Sequence, residues 1–141
     1  MATVFKVKSE DNGKGKSSLN PEVIQSKLFY LSDAAHKLHL DTKSYAQHKA
    51  LNKLYEGLID FRDEISEKLM GYMDGKRIGS IKVGALPEFS DKAAMDLAKE
   101  VRDFGMELKE YAEENHFCDV ENIAQSLSGL GASTVYLLTL T

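Results

Sequence analysis

Three of the four histidines fall in one stretch, AHKLHLDTKSYAQHKALNKLYEGLIDFRDEISE, which runs from Ala35 to Glu67. From His36 the next histidine in register is His48, and Asn52, Asp63 and Glu67 follow at intervals of four, eleven and four. Imidazole and carboxylate groups so spaced line one side of adjoining helices, which is how helical proteins hold iron or manganese. His39 is the alternative for the first histidine, and Glu56, one turn beyond Asn52, is the alternative for the amide. The competing reading is that these polar residues simply border the apolar stripe of a helix.

The elements that must position them follow from apolar spacing. Asn20, Pro21 and Glu22 combine a capping side chain, a proline suited to a first turn and an acid near the positive helix end. Ile24, Leu28, Leu31, Ala35 and Leu38 then step by fours and threes, the buried stripe of a helix. Asp41 or Thr42 caps a second helix expected from Lys43 to Met73, with Leu51, Leu54, Leu58, Ile65, Leu69 and Tyr72 on its stripe. His48, Asn52, Glu56 and Asp63 lie together beside that stripe, with Glu67 farther round.

Residues 74–88 carry Gly75, Gly79, Gly84 and Pro87 and read as a connection, with SIKV as a short extended piece. At about 3.3 Å per residue, fifteen residues reach roughly 50 Å, enough to return along a helix and set the third parallel to the second. Ser90 and Asp91 cap that third helix, which continues to about His116, and Ala98, Gly105 and Ala112 recur every seven residues for close approach of a neighbour. Asp119 caps a fourth helix on Val120, Ile123, Leu127, Leu130, Thr134 and Leu137, weakened by Gly129 and Gly131. The fold class is therefore all-α, a four-helix bundle with one long crossover between the second and third helices. Residues 20–141 form its single domain, behind a basic tail at 1–19.

Composition bounds the function. With 43% hydrophobic and 28% charged residues and no apolar run long enough to span a bilayer, the chain reads as a globular protein off the membrane. No apolar secretory segment opens it, and the lone Cys118, expected to be a small buried hydrophobe, precludes an intrachain disulfide, so the expected location is the cytoplasm. The net charge of -4 argues against a body that coats nucleic acid. Lys6, Lys8, Lys14 and Lys16 against Glu10 and Asp11 nevertheless leave residues 1–20 at +2 and the rest at -6. One Glu-x-x-His pair, Glu113 to His116, falls short of the two that a di-iron bundle of the usual kind requires.

The spacing from His36 to Glu67 resembles that of the ferritin-like superfamily, specifically Dps-type mini-ferritins, the DNA-protection-during-starvation proteins. The resemblance covers residues 28 to 70 best. It implies a di-iron ferroxidase site between subunits, with His36, His48 and Asn52 from one chain and Asp63 and Glu67 from its neighbour. Asn52 stands where that family has an acid. Iron oxidation and storage, a homo-oligomeric dodecameric cage and DNA binding through Lys6, Lys8, Lys14 and Lys16 would follow. HLDTKSYAQHKALNKLYEGL and the YLLTL ending also look like uncharacterised ferritin-like proteins of tailed phages and bacteria, which would place the chain in a host cytoplasm. The alternative is a catalytically inactive helical bundle with a structural or interaction role, for example in a phage. That needs the same apolar spacing and no metal, and Asn52 favours it.

Overall fold

A computed structural model describes residues 18–141. Within them lie four helices and no strand: α1 (Pro21–Asp41), α2 (Tyr45–Tyr72), α3 (Asp91–Glu114) and α4 (Cys118–Leu138). The Asn20 side chain accepts from Val23 N–H at 2.9 Å, and Pro21 follows without an amide proton to leave unpaired. Leu19 and Ile24, which flank this cap, are both buried in the core, the arrangement of a hydrophobic staple. The second cap is Ser44, not Asp41 or Thr42, and α2 accordingly starts two residues later than Lys43. Asp41 is engaged by Lys37, and Thr42 Oγ1 accepts from Ser44 N–H and donates to Gln47, so both are spent on the turn itself. Ser90 caps α3 as its sequence suggests, accepting from Ala93 N–H at 2.9 Å.

The start of α4 departs from expectation. Its N-cap is Phe117, without a side-chain hydrogen bond, and Asp119 sits inside the first turn. Phe117 stacks on Tyr72 at 4.9 Å and meets Tyr111 edge-on at 6.2 Å, so aromatic packing fixes the chain entry. Asp119 instead pairs with Lys68, and its N–H donates to Tyr72 Oη. Cys118, expected inside, is exposed in this turn. His116 lies beyond the end of α3 with φ 62°, so Glu113 and His116 do not share a helix.

Each helix packs against two neighbours, in the cyclic order α1, α2, α4, α3. Two contacts fix the directions. Tyr72, ending α2, touches Cys118 and Asp119, opening α4, while Gln47 near the start of α2 donates to Asp91 at the start of α3. Helices α2 and α3 therefore run the same way, and residues 73–90 travel the length of the molecule between them. The core is aliphatic: Ile24, Leu28, Leu31, Leu38, Leu51, Leu54, Leu58, Ile65, Leu69, Val101, Leu108 and Leu127 are all wholly covered. Each such leucine buries area worth about 1.5–3 kcal/mol. The SIKV segment within the crossover forms no strand.

Helices α3 and α4 approach closest. A Cβ on Gly105 would fall 2.5 Å from Ser128 N, and one on Gly131 would collide with the backbone of Arg102. Gly131 thus does the reverse of weakening α4: it allows the helix to lie directly against α3.

Candidate functional site

The α1–α2 turn places His39 three residues before Thr42 and His48 four residues after Ser44. Their imidazoles stack at 3.9 Å between centroids, and their Nδ1 atoms make reciprocal bonds: His39 to the His48 carbonyl and His48 to the His39 carbonyl, both 3.1 Å. A carbonyl oxygen can only accept, so both Nδ1 atoms carry protons. The His39 carbonyl belongs to the last turn of α1, where no helix amide remains for it, and the His48 imidazole supplies the missing donor. His39 is buried at 7% exposure, and the two residues together clasp the helix ends.

The ring file continues on both sides. Tyr55 of α2 meets His39 at 5.1 Å and stacks on His36 at 4.1 Å with only 9° between planes. Tyr45 lies 6.3 Å from His48. Five aromatic rings drawn from both helices thus form one packed strip, exposed at both ends, His36 and Tyr45. In each of His39 and His48, only Nε2 remains for other chemistry.

Of the two candidates for the first histidine, His36 and its alternative His39, the one that meets His48 is His39. His36 faces Tyr55. Asn52 is half-buried and Glu56 exposed on α2. Asp63 and Glu67 are exposed farther along it, about 22 Å and 28 Å of helix rise beyond His48. Among the described residues no three His, Cys, Asp or Glu side chains converge as metal ligands. Lys6, Lys8, Lys14 and Lys16 lie outside the described residues.

Two further features escaped the sequence. A groove of about 440 Å³ lies between the first half of α1, at Val23, Ser26 and Tyr30, and the crossover at Ser80 and Lys82. Its wall includes Lys27, paired with Glu100 of α3. Burial, then the nearby Glu100 carboxylate, push the Tyr30 phenol above its ordinary range. The second feature is apolar. Leu40, Tyr45, Tyr136 and Leu140 are 62–75% exposed, and all belong to the end of the molecule where α1 and α4 finish and α2 begins. They fall off the buried stripes, so periodicity gives no reason to single them out. No helix among the described residues is long and apolar enough to cross a membrane.

Comparison with known proteins alters the family reading. No solved structure matches the chain. Over 46 residues it is 41% identical to the "Uncharacterized 14.6 kDa protein in mobD-ri intergenic region" of Enterobacteria phage T4. That match covers 33% of this chain and 36% of the relative, so the chain spans about a third of that protein's length. A family profile covers residues 39–138, which takes in the His39–His48 clasp and the three helices after it. No mini-ferritin or other ferritin-like profile matches, and this corrects the resemblance drawn from His36, His48, Asp63 and Glu67, together with the iron-binding and ferroxidase role it implied. By that match the chain belongs to DUF5856, a family of unknown function.

Proposed function

We infer that the protein is a non-enzymatic helical bundle that acts through contact with another protein, in a phage or its host cell. One observation carries this reading: the four most exposed large apolar side chains among the described residues, Leu40, Tyr45, Tyr136 and Leu140, share one end of the molecule, beside the turn that His39 and His48 clasp. Apolar side chains gathered at a fixed position suit a protein surface, where tyrosines supply area at little cost in side-chain entropy. The match to a phage T4 protein supports the phage setting. Imidazoles engaged with each other's backbone carbonyls serve the mount rather than a reaction.

Photo-crosslinking in the producing cell tests this. A benzophenone amino acid in place of Tyr45 or Tyr136 is expected to give one discrete protein adduct, absent when it replaces Lys76 at the other end and lost in a Leu40→Glu background. Equal labelling from both ends, or none from Tyr45 and Tyr136, would overturn the reading.

A further inference from the structure

The crossover is the longest stretch of described chain without regular structure, and its backbone is open. From Arg77 to Phe89 the only backbone group bonded within the protein, among the described residues, is the Lys82 N–H, which donates to Ser26 Oγ of α1 at 3.1 Å. No helix, turn or bend interrupts it from Lys76 to Ser90. It covers the length of α3, about 36 Å, without a turn or a bend, so it runs extended. An ordered extended segment with free amides and carbonyls is a template for strand addition.

We propose that the crossover pairs with the same segment of a second copy of this chain, antiparallel, about a two-fold axis at Lys82. Lys82 sets the phase. In an extended chain the N–H and C=O of one residue point the same way and those of the next point oppositely. With the Lys82 N–H turned to α1, the backbone groups of Ile81 and Val83 face outward, as do those of Gly79 and Ala85. Two-fold pairing then makes Ile81 with Val83, and Gly79 with Ala85, hydrogen-bonded pairs, each formed twice.

The side chains agree with this register. Ile78 falls opposite Leu86, and the β-branched Ile81 and Val83 of both copies share one face. Val83 and Leu86, exposed in a single chain at 40% and 38%, gain cover. Lys76 meets Glu88 on both sides of the axis, against the single repulsion of Lys82 by its copy. Pro87, lacking an N–H, stops the ladder where Arg77 would otherwise extend it. A two-fold contact of this kind closes on itself and yields a dimer rather than a fibre.

Sedimentation of the full chain over a concentration series tests the pairing. Dimers are expected, and Val83→Pro, which removes an outward N–H, should weaken them about tenfold or more. Ser80→Pro, whose N–H points toward α1, should leave them intact, and helical circular dichroism checks that both variants fold. Mixing Lys82→Glu with the original chain should favour the heterodimer, because residue 82 meets itself across the axis. A monomer at all concentrations would overturn the proposal. So would dimers indifferent to Val83→Pro, or dimers lost on Leu40→Glu, which would place the contact at the apolar end. The crosslinking from Tyr45 and Tyr136 reads a separate surface, so either proposal can fail without the other.

Discussion

The two helix pairs joined by short turns are held in opposite ways. Between α3 and α4 the backbones themselves touch, at Gly105 against Ser128 and at Gly131 against Arg102. Between α1 and α2 the ends are held by polar bonds: the His39–His48 exchange and the Thr42, Ser44 and Gln47 network. The first joint is steric and tolerates no added atom. The second is directional, and losing one member leaves its partner without a bond. A joint of the first kind gives closeness; one of the second kind gives a fixed angle at the end that carries Leu40 and Tyr45.

Adding one methyl group should break the steric joint first. Gly131→Ala or Gly105→Ala puts a Cβ into backbone that cannot swing aside, and overpacking of this kind costs about 1–3 kcal/mol, more than the helix propensity that alanine returns. Gly57→Ala is the contrast. Its Cβ would meet only the flexible tip of Leu130, so little loss or a small gain is expected. Urea unfolding of the three variants checks the order, and equal costs at Gly57 and Gly131 would mean that α3 and α4 are not in backbone contact.

The directional joint should show itself as coupling. His39→Ala and His48→Ala each remove a donor and strand a partner, at about 1–3 kcal/mol. Because the two rings also stack on each other, the double variant should cost less than the sum, with an interaction energy of about 0.5–3 kcal/mol. His36→Ala, which loses only a partly exposed stack on Tyr55, should cost less than either. Additive losses at His39 and His48 would sink the clasp.

The same contrast explains what the sequence disclosed. The steric joint was legible in part: Ala98, Gly105 and Ala112 recur at a seven-residue period, and apolar steps of three and four located all four helices. That spacing reports which residues face inward. It is silent on how two helix ends meet, so it leaves both His36 and His39 open as the neighbour of His48 across two adjoining helices. The turn at 42–44 brings His39 to His48. The cap of α4 failed for a similar reason, because the stacking of Phe117 with Tyr72 depends on a neighbour 45 positions away in the chain. The family resemblance failed on other ground: intervals between polar residues recur in unrelated helical bundles, and the profile that matches residues 39–138 is that of a different family.

The gentlest probe of the two halves is alkaline pH, through one tyrosine in each. Burial alone raises the Tyr111 phenol of α3, while burial and then Glu100 raise that of Tyr30 in α1. A phenol whose pKa is raised on folding keeps its proton to higher pH in the folded chain than in the unfolded one. Stability from both is therefore complete below the unfolded value, about pH 10, and declines as pH rises through the folded values. Unfolding midpoints measured from pH 9 upward should fall less steeply in Tyr111→Phe and in Tyr30→Phe than in the parent chain. Glu100→Gln should bring the tyrosinate absorbance of Tyr30 to lower pH and leave that of Tyr111 in place. If Glu100→Gln moved neither, Tyr30 would owe its shift to burial alone, and the groove wall formed by Lys27 and Glu100 would be electrically silent toward whatever enters beside Tyr30.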